Sequence, residues 1–183
     1  GGHRNIRTGD PRMESFKPFE HKARDFAQNI EDWKTLYRAP YDKHDVDPYT
    51  KLRIILMNGI EVEAVMFGHN FQRTCQDQDI RRSLAMIRRV EQQQQKSINW
   101  LSPGDETQLE TTIGYEHLAV DLTAWLAMHE PDEYVKACMD FALLEDFDHL
   151  YRYSNLLELD KNIPAQRLVG ELVEITPGRP TIA

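Results

Sequence analysis

Cysteine is nearly absent: there are two in 183 residues, Cys75 and Cys138, far apart and in no Cys-x-x-Cys pair. That scarcity excludes a disulfide scaffold, a zinc ribbon and a rubredoxin-type iron site, and a reducing, cytoplasmic setting is expected. No apolar run reaches the roughly 18 residues that would span a bilayer, and the first residues lack the apolar core of a secretory signal. Basic residues are outnumbered, 22 Lys and Arg against 30 Asp and Glu, for a net charge of -8. Nucleic acid and anionic membrane both need a cationic surface, so neither is expected as a partner. Strand signals are few, repeats of solenoid length are missing, and the one low-complexity tract is Gln92 to Gln95. With 40% hydrophobic and 28% charged residues, what is left is one globular domain with a substantial core.

What the chain does have is helical periodicity. A polar tail (1–12) precedes an amphipathic stretch in which Phe19, Ala23, Phe26, Ile30, Trp33 and Tyr37 recur at helical spacing, an accessory helix over 18–38. A linker with Pro40 and three aspartates ends at Asp47-Pro48, a helix start with proline in the first turn. Helix 1 is expected to run to about residue 74, and helix 2 from Asp77 or Asp79 to about residue 101. Ser102-Pro103-Gly104-Asp105 breaks the pattern, with Asp105 and Gln108 as a capping pair for helix 3. Helix 3 reaches about His129, Pro131 interrupts, and helix 4 takes over from Asp132 to about residue 157. The expected organisation is therefore a tail and accessory helix over 1–47, an all-α four-helix bundle over 48–157, and a C-terminal extension over 158–183 with a short apolar segment near 168–175.

Each long helix has an apolar stripe that polar residues interrupt, and an interruption at core spacing needs a reason. In helix 1 the row through Leu52, Leu56 and Ile60 meets Glu63; Glu61 lies on a poorer stripe. In helix 2 the row Ile80, Leu84, Ile87, Ile98 is broken by Glu91 and Gln94. Helix 3 places Glu116 among Ile113, Val120 and Ala127, with His117 on an adjacent stripe. Helix 4 places Asp146 and His149, an i, i+3 pair, in the row Val135, Met139, Ala142, Tyr153, Leu156, with Glu145 and Asp148 nearer the rim. Glu63 lies about 11 residues before its connection and Glu91 about 12 residues into the next helix, so at a rise of about 1.5 Å per residue an antiparallel pair brings them level. Glu116 and Asp146 agree similarly about the third connection. Four helices placing carboxylates at one depth calls for a common cause, since unpaired buried carboxylates protonate or unfold the core.

At this point the chain resembles the ferritin-like superfamily of dimetal carboxylate proteins, in which two helices carry a single Glu each and two carry Glu-x-x-His. The resemblance covers roughly residues 48 to 157. By it, Glu63 and Glu116 match the single glutamates, with Glu61 the alternative to Glu63; Glu91-Gln92-Gln93-Gln94 matches the first motif with Gln94 in place of His, and Asp146-Phe147-Asp148-His149 the second with Asp in place of Glu. Glu145 or Asp148 is the alternative to Asp146. The resemblance implies two metal ions, iron or manganese, held by Glu63, Glu91, Gln94, Glu116, Asp146 and His149, and an oxidoreductase acting on a small substrate such as oxygen or peroxide with a separate electron donor. A homodimer or higher homo-oligomer is expected. Gln94 is a neutral oxygen ligand and weakens one metal position; Asp146 is one methylene shorter than Glu and reaches less far. Ferritin-like folds carry a long crossover between helices 2 and 3, whereas Asn99 to Gln108 more naturally joins antiparallel neighbours unless helix 2 frays after Lys96; both topologies stay open.

The alternative use of the same residues is a hydrogen-bonded network inside a metal-free helical bundle that serves interaction or assembly. There Glu91, Gln94, Glu116 and His149 pair with Arg88 or nearby tyrosines. His69, His117 and His129 read as helix-surface or rim residues, with His117 the first to promote to a ligand.

Overall fold

The computed structural model describes residues 39–170. They are all-helical: α1 (Pro48–Thr74), α2 (Gln78–Asn99), α3 (Gln108–His129), α4 (Glu133–Lys161) and the single turn α5 (Gln166–Val169). No strand occurs among the described residues, and no described helix is long and apolar enough to cross a membrane. The tail, the accessory helix over 18–38 and the last part of the C-terminal extension lie outside the described residues.

Aspartates start three of the four long helices, because a short carboxylate accepts from N–H groups that have no partner inside the helix. Asp47 accepts from the Tyr49 and Thr50 amides, Asp77 from those of Asp79 and Ile80, and Asp132 from that of Val135. The start of α3 differs from the expected Asp105 and Gln108 pair. Thr107 caps it, and Glu110 reaches back to the Thr107 backbone in a capping box. Thr107-x-x-Glu110 supplies a hydroxyl and a carboxylate at the required separation, and the fully enclosed Glu110 carboxylate also takes Lys43 at 3.1 Å. α4 stops at Asn162, whose φ of 53° is a left-handed conformation that asparagine tolerates.

The long helices alternate in direction. Gln95 bonds Asn58 across α1 and α2, Thr123 bonds Asp146 across α3 and α4, and the connection over 100–107 leads from α2 into α3 at one end of the molecule. That end is tied down. The Tyr41 amide donates to the Leu101 carbonyl at 3.2 Å, Lys43 bonds the Asp105 carbonyl, and the enclosed Lys51 ammonium pairs with Glu106. Gly114 lets α1 approach α3 there, since a Cβ would stand 3.0 Å from Lys51 Cε and 3.1 Å from Ile55 Cδ1.

Away from that end the two hairpins part. Ile113 and Val120 of α3, Leu150 and Leu157 of α4, and Ala165 and Val169 around α5 form one core cluster. Each fully buried Leu there contributes about 1.5–3 kcal/mol. α1 buries only Tyr49, Lys51, Leu52 and Ile54, all in its first two turns, and α2 buries nothing. α1 packs on α2, α3 on α4, and α1 on α3, but α2 and α4 are not packed against each other. Phe67, farther along α1, is 70% exposed.

The buried face of α4 is also turned from the expected row. Asp148, Leu150, Tyr151, Ser154 and Leu157 are inside, while Leu156 is exposed and the His149 side chain is 47% exposed. α4 faces α3 and α5 rather than a central axis shared by four helices, and this rotates its inner stripe.

Candidate metal centre

Three of the six residues expected to hold metal come together where α3 faces α4. Glu116 and Asp146 bring a carboxylate oxygen each and His149 a ring nitrogen, all within 4.8 Å of one another. Helix geometry accounts for the meeting: Asp146 and His149 share a side of α4, and Glu116 and Thr123, seven residues apart, share a side of α3. His149 Nδ1 lies 3.7 Å from Glu116 Oε2, an ion pair when the imidazole is protonated. The Thr123 hydroxyl donates to Asp146 Oδ2 at 3.1 Å and fixes that carboxylate. Burial pushes the Glu116 carboxyl above its usual range, His149 draws it back, and the Asp146 charge raises it again.

The donor set fits a transition-metal ion. Two carboxylate oxygens and one imidazole nitrogen are the mixed ligands that suit iron, manganese or zinc. Two ligand atoms on opposite sides of one ion with bonds of about 2.1 Å stand about 4.2 Å apart, so small side-chain rotations contract the observed spacing to coordination.

Glu63, Glu91 and Gln94 stand apart from this group. Glu63 is exposed on α1 and lines a cleft of about 740 Å³ between α1 and α3, whose far wall includes Tyr115, Ala119 and Thr123. Thr123 therefore touches both the cleft and the Asp146 carboxylate. Glu91 is half-buried against Gly68 on the α1 and α2 hairpin, and Gln94 is exposed. Of the alternatives, Glu61 and Glu145 are half-buried, and Asp148, expected nearer the rim, is 5% exposed and accepts from Arg152 Nε at 2.8 Å. An arginine one turn along the helix satisfies that carboxylate without metal.

Other polar groups are buried outside this cluster. His117, expected at the surface or rim, is 2% exposed, with Nε2 3.5 Å from Asp121 Oδ2. Tyr49 lies near that pair; burial, then the Asp121 and Asp47 charges, push its phenol up. The signals were present as the i, i+4 spacing of His117 and Asp121 and the Thr-x-x-Glu box. His69 meets Arg88 through Nδ1, and His129 stacks on Trp125 with ring centroids 4.2 Å apart.

The described residues are all-helical and carry a mixed carboxylate and imidazole cluster between two helices. No protein-family model, no curated protein and no solved structure matches the chain.

Proposed function

We propose that this chain is a metal-binding protein of the ferritin-like dimetal carboxylate type, with Glu116, Asp146 and His149 as its first metal position. The observation that supports it most is the convergence of two carboxylates and one imidazole from two helices, with Glu116 held where burial opposes its ionised form. A bound divalent cation relieves that opposition. The second position draws on Glu63, Glu91 and Gln94, which the α1 and α2 hairpin carries. Iron or manganese in such ligands supplies one-electron redox chemistry toward oxygen or peroxide. The chain's own groups do the rest: Glu116 and Asp146 balance the cation charge, Thr123 orients Asp146, and the cleft admits a small substrate beside them. Electrons come from a separate donor. Both cysteines are free, which fits a reducing, cytoplasmic setting.

Anaerobic titration with Mn(II), followed by calorimetry and by loss of the free-ion EPR signal, tests this reading. Binding that weakens at least tenfold in His149→Ala is expected. Wild-type protein that leaves the free Mn(II) EPR signal unchanged and gives no heat of binding with anaerobic Fe(II) sinks it.

A second reading, a metal-free helical protein of interaction or assembly, is favoured by the exposed apolar residues of α1 and α2, among them Met66, Phe67, Met86 and Ile87. It requires that Glu116→Gln with His149→Leu raise stability and leave partner binding intact.

A further inference from the structure

The two hairpins carry the halves of one apolar wall and of one ligand set, and they are joined at a single end. On α1, Ile60 and Glu63 line the cleft, and Phe67, one turn beyond Glu63, continues the same stripe. Opposite them stand Tyr115, Ala119 and Thr123 of α3. Ile60, Phe67 and Tyr115 are all exposed although they lie on or beside facing walls. Burying them favours closure, at about 25 cal/mol for each Å² of apolar surface removed from water. What stands against closure is charge. Closure brings Glu63 toward the Thr123 side of the other wall, behind which Thr123 bonds Asp146 beside Glu116, and in a drying gap like charges repel more strongly. The tied end leaves the separation of the far ends as the main freedom: Lys51 with Glu106, Lys43 with Glu110, and the close approach at Gly114 hold α1 to α3 near the α2 to α3 connection.

We infer that a divalent cation bound by Glu116, Asp146 and His149 closes the two hairpins onto each other, with Glu63 swinging across the cleft as the ligand that joins them. The inference rests on the metal reading above and adds a conformational coupling to it. The occupant of the cleft is the chain's own α1 wall. The cation removes the repulsion, and the apolar walls then supply the closing force. Binding affinity and hairpin closure become linked quantities: whatever favours the closed form tightens the ion, and the reverse.

The chain carries its own reporters. Cys75 caps the end of α1 at the tip of one hairpin, and Cys138 lies in the second turn of α4, near the tip of the other. Both are free, and they are the only cysteines in the sequence. Nitroxide labels on both give the tip-to-tip distance by pulsed dipolar EPR, and labelling also removes the thiols as competing ligands. Zn(II) is the probe, since it is diamagnetic and accepts the same donors. Calorimetry on the labelled protein measures binding, and light scattering measures mass. The expected result is Zn(II) binding with the tip distance shortened by roughly 5 Å at unchanged mass, as the helices approach the 8–10 Å spacing of packed pairs. In Glu63→Gln the ion still binds and the shortening is lost.

Zn(II) binding with an unchanged distance overturns the closure and leaves the metal reading standing. A doubled mass on binding overturns it in favour of a second copy filling the cleft. Shortening that persists in Glu63→Gln overturns the role given to Glu63. No Zn(II) binding overturns the metal reading, and the closure with it.

Discussion

Replacing Lys51 by Met tests the tie that joins the hairpins. The Lys51 side chain is 8% exposed and its partner Glu106 4%, so this is an interior ion pair rather than a surface one. Removing the ammonium leaves the Glu106 carboxylate enclosed, with only the Thr111 hydroxyl, among the described residues, donating to it at 3.2 Å. A carboxylate stranded in this way costs about 3–5 kcal/mol, against a total stability of about 5–15 kcal/mol for a domain. Met matches the length of the lysine stem, so the close approach to Gly114 survives and the charge effect is isolated. Adding Glu106→Gln removes the stranded charge while keeping an acceptor for Thr111, and the double variant should recover most of the loss. Urea unfolding followed by far-UV circular dichroism measures both; with a slope of about 2 kcal/mol/M the single variant lowers the midpoint by roughly 2 M. A loss below about 1 kcal/mol in Lys51→Met would place the pair among weak surface bridges. A double variant no better than the single would show that packing, not charge, holds this end together. Either result refutes the reasoning.

Three further outcomes follow from the same geometry. Burial raises the Glu110 carboxyl, but the Lys43 and Thr107 hydrogen bonds and the Lys43 charge outweigh it, so the net direction is down from 4.5. Its stabilisation is complete above that value and is lost as pH falls through the lower folded value; urea midpoints of wild type should drop across this window more steeply than those of Glu110→Gln. Glu116→Gln should raise the urea midpoint of metal-free protein at neutral pH, because the ionised form that burial opposes is gone. The same variant should weaken Mn(II) binding at least tenfold by calorimetry, and a variant that loses both stability and affinity would contradict this account. Gly114→Ala gains about 1 kcal/mol of helix propensity, yet its methyl stands 3.0 Å from Lys51 Cε and displaces that side chain from Glu106, so net destabilisation in urea is expected.

The helices were legible because their starts carry local chemistry: Asp47-Pro48, Asp77 and Asp132 declare themselves within four residues of chain. The start of α3 was displaced by two residues because Asp105 and Thr107 both offer capping oxygens, and only the enclosed Lys43 to Glu110 contact decides between them. Periodicity identified Ile113, Val120 and Ala127 as inward, but it ranks stripes by polarity and does not see what lies opposite. Periodicity therefore places Asp148 at the rim although Arg152 satisfies it inside, and His149 inward although it is half-exposed. The level of the ligands follows in the sequence from residue counts alone. It brought Glu116 near Asp146 and His149, because the short turn at 130–132 constrains that pair of helices closely. Across the separation of the hairpins, equal depth did not mean contact for Glu63 and Glu91.

The absence of any buried residue in α2 has a kinetic meaning. Its amides are held by bonds within the helix and by one packed neighbour, so they should exchange with solvent through local opening, while those of α3, α4 and α5 wait for the whole core to unfold. The chain is then two cooperative units of unequal depth. Protease cleavage under native conditions should enter near residues 75–99 and leave the 108–161 hairpin as the last fragment standing.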